Sequence, residues 1–141
     1  MSKAVEPIST DAAPKPAGHY SQGIAHGDLV FVSGQLPVTL EGKALADKSF
    51  EEQVRQALAN MLFIVAAGGS GPDRVLKVTA FIVGVENWPA FNKIYGEVFG
   101  ASRPARSVVP VPSLHHGCLI ELECIATKAE LAPGFDPVAV Y

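Results

Sequence analysis

Three charges sit in a stretch that otherwise reads as buried sheet. In Pro104–Glu123, PARSVVPVPSLHHGCLIELE, Arg106 opens a valine-rich run, and Glu121 and Glu123 interrupt the apolar run that follows. Burying an unpaired charge costs several kcal/mol or forces a pKa shift, so these groups either pair with one another or wait for a ligand. An arginine offers a planar fork to a carboxylate, and a glutamate can take a proton from water. The two-residue period of a strand puts Ile120, Leu122, Cys124 and Ala126 on one face, which should meet helices. Glu121 and Glu123 then lie on the other face, flanked by Leu119 and Ile125. If Arg106–Val111 and Cys118–Thr127 form a hairpin with Arg106 opposite Glu121 or Glu123, all three charges share that half-apolar face. Two readings stay open on pattern alone. One is a cross-strand salt bridge on a solvated face. The other is a subunit-lined cleft with a cation for an anionic ligand and a carboxylate for proton work.

The remaining chemistry-bearing residues give weaker signals. His115 and His116 are adjacent, so their side chains point apart, and no Cys, Asp or Glu nearby completes a ligand set; a solvent-exposed turn is expected and no metal. Ser33-Gly34 is not part of a G-x-S-x-G elbow, so Ser33 reads as a hydrogen-bond donor rather than a nucleophile. Cys118 and Cys124 fall in one predicted strand, with Cα atoms about 20 Å apart, beyond disulfide reach; both are expected to be reduced core thiols.

The elements that must position these groups follow from periodicity. Leu29–Gln35 is a short β-branched strand after a Gly27-Asp28 turn, with 20–24 as its antiparallel partner. Ser49-Phe50-Glu51-Glu52 is a capping box. It opens a helix whose apolar face is Phe50, Val54, Ala57, Leu58, Met61, Leu62 and Val65, closed by Gly68-Gly69. Val75–Val83 is a strand. Asn87 is placed to cap a second helix, with Pro89 in its first turn and Phe91, Ile94, Tyr95, Val98 and Phe99 facing inward; Trp88 and Phe91 read as core. The order β-β-α-β-α-β-β implies an α+β domain, two helices on one face of a mixed sheet.

Composition narrows the classes. The 141 residues are expected to form a single domain, with a core over about 13–128 and a Pro/Gly-rich tail over 129–141. The chain is 48% hydrophobic, yet no run reaches the length of a membrane span and the N-terminus lacks a secretory pattern, so a cytoplasmic protein without membrane contact is expected. The apolar excess suggests a subunit interface. A net charge of −3 and the lack of a basic stripe argue against nucleic acid.

The segments HYSQGI (19–24), FVSGQLPV (31–38), ALANMLFIVAAGG (57–69), VLKVTAFI (75–82), FNKIYGEVF (91–99), PARSVVPV (104–111) and LIELECIA (119–126) resemble, in order, the motifs of the Rid (YjgF-type, RidA-like) family. The resemblance runs from about Ala13 to Lys128. It implies a chorismate-mutase-like fold assembled as a homotrimer with inter-subunit clefts. It implies hydrolysis of 2-imino acids and their enamine tautomers to 2-keto acids and ammonia, as by a 2-iminobutanoate/2-iminopropanoate deaminase, without metal or organic cofactor. Arg106 falls on the family's carboxylate-binding arginine and Glu121 on its catalytic glutamate. Tyr20, Ser33, Gly34 and Asn92 fall on pocket-lining positions, and the backbone carbonyl near Val108 is expected to accept from the iminium nitrogen. Glu123 is then left a structural part, as partner of Arg106 or of a neighbouring subunit. The chain departs from the family pattern at Val108, where cysteine is common, at His19, where proline is usual, and in 100–103 and 113–117. The competing expectation is a non-catalytic small-ligand-binding or regulatory trimer of the same fold. A ribonuclease is disfavoured by the acidic balance.

Overall fold

The computed structural model describes residues 3–128; the predicted tail over 129–141 lies outside them. Six strands and two helices follow in the order β1 (Val5–Ile8), β2 (Gly23–His26), β3 (Leu29–Gln35), α1 (Phe50–Ala67), β4 (Val75–Ile82), α2 (Trp88–Phe99), β5 (Ala105–Pro110) and β6 (Ile120–Thr127). The α+β, chorismate-mutase-like expectation holds, with one addition and one shift. Strand β1, which the sequence pattern did not reveal, pairs antiparallel with β2, and the predicted strand over 20–24 is displaced to Gly23–His26.

The sheet order is β1-β2-β3-β6-β4-β5. Strand β6 runs antiparallel to both β3 and β4, while β4 and β5 are parallel and joined through α2. A parallel pair needs such a crossover, and the helix covers the sheet it crosses. The expected β5–β6 hairpin is therefore wrong: β4 lies between the two strands. The physical reason is legible in hindsight. Pro110 ends β5 and Pro112 follows it; a proline cannot donate to a ladder and is confined to edge strands. The proline-free, aliphatic β6 takes the central slot, where both of its edges are paired.

Both helices pack on one sheet face. Ile120, Leu122, Cys124 and Ala126 are buried there with Val78, Ala80 and Ile82 of β4, against Leu58, Met61, Leu62 and Phe91. The capping box forms as expected: Ser49 Oγ accepts from Glu52 N at 3.1 Å, and Glu52 Oε2 accepts from Ser49 N at 3.3 Å. Asn87 stands at the start of α2 but caps nothing; its Nδ2 donates to the Val83 carbonyl at 3.0 Å. A 3-10 turn over Val85–Asn87 already supplies the entry to α2, and Trp88 is only partly buried. Both cysteines are free and buried.

The opposite face carries no helix. It presents Leu29, Phe31 and Ser33 of β3, Glu121, Glu123 and Ile125 of β6, and Val109 of β5, as the strand registers require. Leu29, Phe31 and Val109 are each more than one-third exposed in the single chain.

Candidate functional site

The site begins with an irregularity in β3. The ladder pairs Val32 with Cys124 and next Gln35 with Leu122, so β3 advances three residues while β6 advances two. Ser33-Gly34 form this bulge, a device that bends a strand and re-aims its side chains. Gly34 meets a carboxylate there. A Cβ added to Gly34 would lie 3.0 Å from Glu121 Oε2 and 3.2 Å from its Cδ, so only glycine leaves the carboxyl group its room against the backbone.

Glu121 is partly buried and has no hydrogen-bond or ion-pair partner among the described residues. Burial pushes its pKa above the ordinary carboxylate value, the Glu123 charge adds to the rise, and His115 opposes it. An unpartnered carboxylate of raised basicity in a cleft suits proton transfer to or from a bound molecule. The neighbouring thiols offer no nucleophile. Burial pushes Cys124 up to about 12, and it raises Cys118 as well, with the Glu121 charge adding to that rise.

The cleft itself measures about 770 Å³. It is lined by Ser33, Gly34, Glu121 and Glu123 of the sheet, by Lys15 and Tyr20, by Leu36, Val38, Leu40, Glu41 and Gly42, and by His115 and His116. Tyr20 is half exposed, and its hydroxyl accepts a long bond from Ala17 N at 3.4 Å. Ser33 differs from its expected part: its hydroxyl donates to the Ser21 carbonyl at 2.6 Å, so it offers lone pairs, not a proton, to the cleft. That bond fastens the Tyr20 segment to β3.

Three buried amides, unremarked in the sequence pattern, hold the cleft walls. Gln22 accepts from Thr10 N at 2.7 Å and donates to the carbonyls of Thr10, Ala13 and Pro14, fixing the segment that carries Lys15 and Tyr20. Asn60 donates to the carbonyls of Leu36 and Val38. Gln53 accepts from Leu119 N at 2.9 Å, two residues before Glu121. The signal for the last two was present: amides one heptad apart on the apolar face of α1 must find partners when buried.

The other expected site residues lie elsewhere. Arg106 is in register with Val78, and Val78 with Cys124, so Arg106 is on the helix face and Glu121 on the opposite one. Val108 shares that helix face in register with Ala80, and Asn92 is exposed on α2. Arg106 and Glu121 stand two strands and three residues apart, about 10 Å in each direction, and point oppositely. A small imino acid cannot touch both within one chain. An Arg106–Glu123 pairing within one chain is likewise excluded, since Glu123 pairs with Thr79 in register and lines the cleft. His115 and His116 were expected as an exposed turn with side chains pointing apart; they are exposed and line the cleft, but their ring centroids lie 3.8 Å apart, because the positive φ of His116 turns the backbone between them.

Comparison with known proteins agrees with this architecture. The profile of the family described as Endoribonuclease L-PSP matches residues 10–128. A RutC family protein of Pyrococcus horikoshii is 39% identical over 123 residues, 87% of this chain and 98% of the relative. A 2-iminobutanoate/2-iminopropanoate deaminase of Dermatophagoides farinae is 36% identical, covering 84% of this chain and 92% of the relative. The crystal structure of E. coli TdcF with bound serine superposes with a TM-score of 0.83 at 33% identity, covering 88% of this chain and 99% of that one. Relatives of this chain thus include imine deaminases alongside proteins whose names specify no reaction.

Proposed function

Given that the chain belongs to the Endoribonuclease L-PSP family, the Rid (YjgF/RidA) group, we propose that it hydrolyses 2-imino acids and their enamine tautomers to 2-keto acids and ammonia, at sites shared between copies of the chain in a homotrimer. The carrying observation is the Glu121 carboxyl, held over Gly34 in the cleft without a partner and with raised basicity. The deaminase name of the Dermatophagoides relative supports the reaction class.

The chemistry needs little beyond orientation and one base. A protonated imine carbon is already electrophilic. Glu121 takes a proton from water as the water oxygen bonds to that carbon, and the C=N electron pair moves to nitrogen. The proton then passes to the amine of the resulting carbinolamine, the C–N bond breaks, and ammonia leaves as the hydroxyl loses its proton to give the keto acid. Arg106 of a neighbouring copy holds the substrate carboxylate through its bidentate fork, with Asn92 and the Val108 backbone beside it. Tyr20 and Ser33 line the cleft on the Glu121 side, Ser33 as an acceptor. The base works only when ionised, so its raised pKa moves the acid limb of the activity profile up from where an ordinary glutamate would put it.

The trimer carries the account because Arg106 and Glu121 face opposite ways in one chain. The open sheet face, with Leu29, Phe31 and Val109 exposed, offers apolar area for such an assembly. Three carboxylates in the cleft, Glu41, Glu121 and Glu123, disfavour a phosphate backbone there and argue against a nuclease.

One observation favours a second reading, a small-ligand-binding trimer without turnover: the TdcF relative was crystallised with bound serine. Keto-acid release from freshly generated 2-imino acids separates the two. Release above the uncatalysed rate is expected; saturable binding with no turnover would leave the binder.

A further inference from the structure

Arg106 has no carboxylate within ion-pair distance among the described residues. It stands over aromatic rings instead. Its guanidinium carbon is 4.8 Å from the ring centroid of Tyr95 and 5.7 Å from that of Phe91. These rings are one helical turn apart on α2 and form a ladder with Phe99: Phe91 to Tyr95 is 5.4 Å, and Tyr95 to Phe99 is 4.5 Å. The ladder is rigid, since Phe91 is fully buried and Tyr95 and Phe99 nearly so. The Tyr95 hydroxyl is buried and bonds to nothing. Burial pushes the phenol up to about 12 against the lowering effect of Arg106, so a neutral ring faces the cation throughout the working pH range.

A cation above an aromatic face is attracted by the ring quadrupole, and a guanidinium also stacks through its plane. An arginine side chain in water samples many rotamers, and a bidentate contact with a carboxylate demands one plane and one direction. The shelf removes that freedom before the ligand arrives, and pre-organisation of this kind appears as affinity.

We propose that Tyr95, with Phe91 beside it, is a positioning residue for Arg106: the aromatic shelf of α2 fixes the guanidinium plane so that its N–H fork is ready for the carboxylate of a 2-imino or 2-keto acid. The inference rests on the reading of Arg106 as a carboxylate holder. It assigns the work to the ring of Tyr95 and none to the hydroxyl, which has no partner to lose. Lysine at 106 keeps the charge but loses the stacking plane.

Calorimetric titration of the assembled protein with pyruvate, a 2-keto acid, tests this without requiring turnover, and steady-state kinetics with an imino acid supply the second readout. Tyr95→Leu should weaken pyruvate binding about five- to tenfold and raise KM in proportion, with kcat within about twofold. Tyr95→Phe should bind within about twofold of wild type. In an Arg106→Lys background, itself weakened more than about fivefold, Tyr95→Leu should cost less than about twofold, since the stacked partner is already gone. An unchanged affinity in Tyr95→Leu, an equal loss in the lysine background, or a loss in Tyr95→Phe would each overturn the proposal. Should Tyr95→Leu fail to fold, Tyr95→Phe and Arg106→Lys decide it: tight binding by the lysine variant contradicts the shelf. A wild type that binds pyruvate but turns over no imine overturns the deaminase reading alone. A wild type that binds neither overturns both.

Discussion

The two faces of β6 put one strand to opposite uses. Ile120, Leu122, Cys124 and Ala126 point under the helices, where burial is nearly complete and the surroundings are mostly apolar. Glu121, Glu123 and Ile125 point the other way, into a cleft and across an uncovered sheet. The helix side of β6 is covered within a single chain. The open side has exposed apolar side chains and a carboxylate without a partner, and it stands opposite the arginine that would complete its chemistry. On the proposed reading β6 gives one face to stability and the other to function, and substitutions in this strand of eight residues should divide accordingly.

The largest effect is expected at Glu121. Glu121→Gln keeps the shape of the side chain but removes the base, and turnover should fall about 10²–10⁴-fold. Its stability should move the opposite way. The folded-state pKa is raised, so the ionised carboxylate opposes folding at neutral pH; that penalty vanishes below the unfolded pKa and develops as pH rises through the folded value. Thermal unfolding should show Glu121→Gln more stable than wild type near pH 7–8, with the gain shrinking as pH falls toward about 4. A variant that lost stability at neutral pH would place Glu121 in a structural contact.

Leu122→Ala, one residue along on the helix side, should reverse that pattern. Leu122 is fully buried. Its truncation should cost about 2–5 kcal/mol in chemical denaturation, while turnover per folded molecule stays close to wild type. Next in size is Gly34→Ala. The new methyl would stand 3.0 Å from Glu121 Oε2, so the carboxyl must shift by a few tenths of an ångström. An order of about tenfold in kcat, with pyruvate affinity nearly unchanged, is expected from displacing the base. Glu123→Gln should have the smallest effect, less than about threefold in turnover, and should lower the apparent pKa of the acid limb because it removes a charge that raises the Glu121 pKa. Reversed behaviour of the two glutamate variants would make Glu123 the base.

Much of this division was legible in the residues, and the remainder failed for a definable reason. Alternation in β6 assigned its faces correctly, and the Ser49 to Glu52 box placed the start of α1. Family motifs selected Tyr20, Ser33, Gly34 and Glu121, which the fold brings to one cleft, Arg106 and Val108, which it holds on the opposite sheet face, and Asn92, which is exposed on α2. What periodicity does not encode is which strand lies beside which. A hairpin between β5 and β6 was the simplest connection, and it placed Arg106 with the glutamates. The parallel β4–β5 pair moved β5 to the edge and turned Arg106 toward the helices. Strand β1 escaped notice because its four residues include Pro7 and Glu6 and only Ile8 is buried, too short a pattern to register. The turn of His115 and His116 looked inert because its place beside the cleft depends on the path between β5 and β6.

The central claim is that each catalytic site joins Glu121 of one copy to Arg106 of another, and subunit mixing tests it directly. Arg106→Ala and Glu121→Gln, each nearly inactive alone, are unfolded together in equal amounts and refolded into mixed assemblies. In a head-to-tail ring every interface takes one residue from each neighbour, so random mixing should restore intact pairs at about a quarter of the interfaces and deaminase activity to about a quarter of wild type. Activity that stays at the sum of the two parents, in mixtures shown by mass spectrometry to contain both chains in one assembly, would mean that the site does not join Arg106 and Glu121 across subunits.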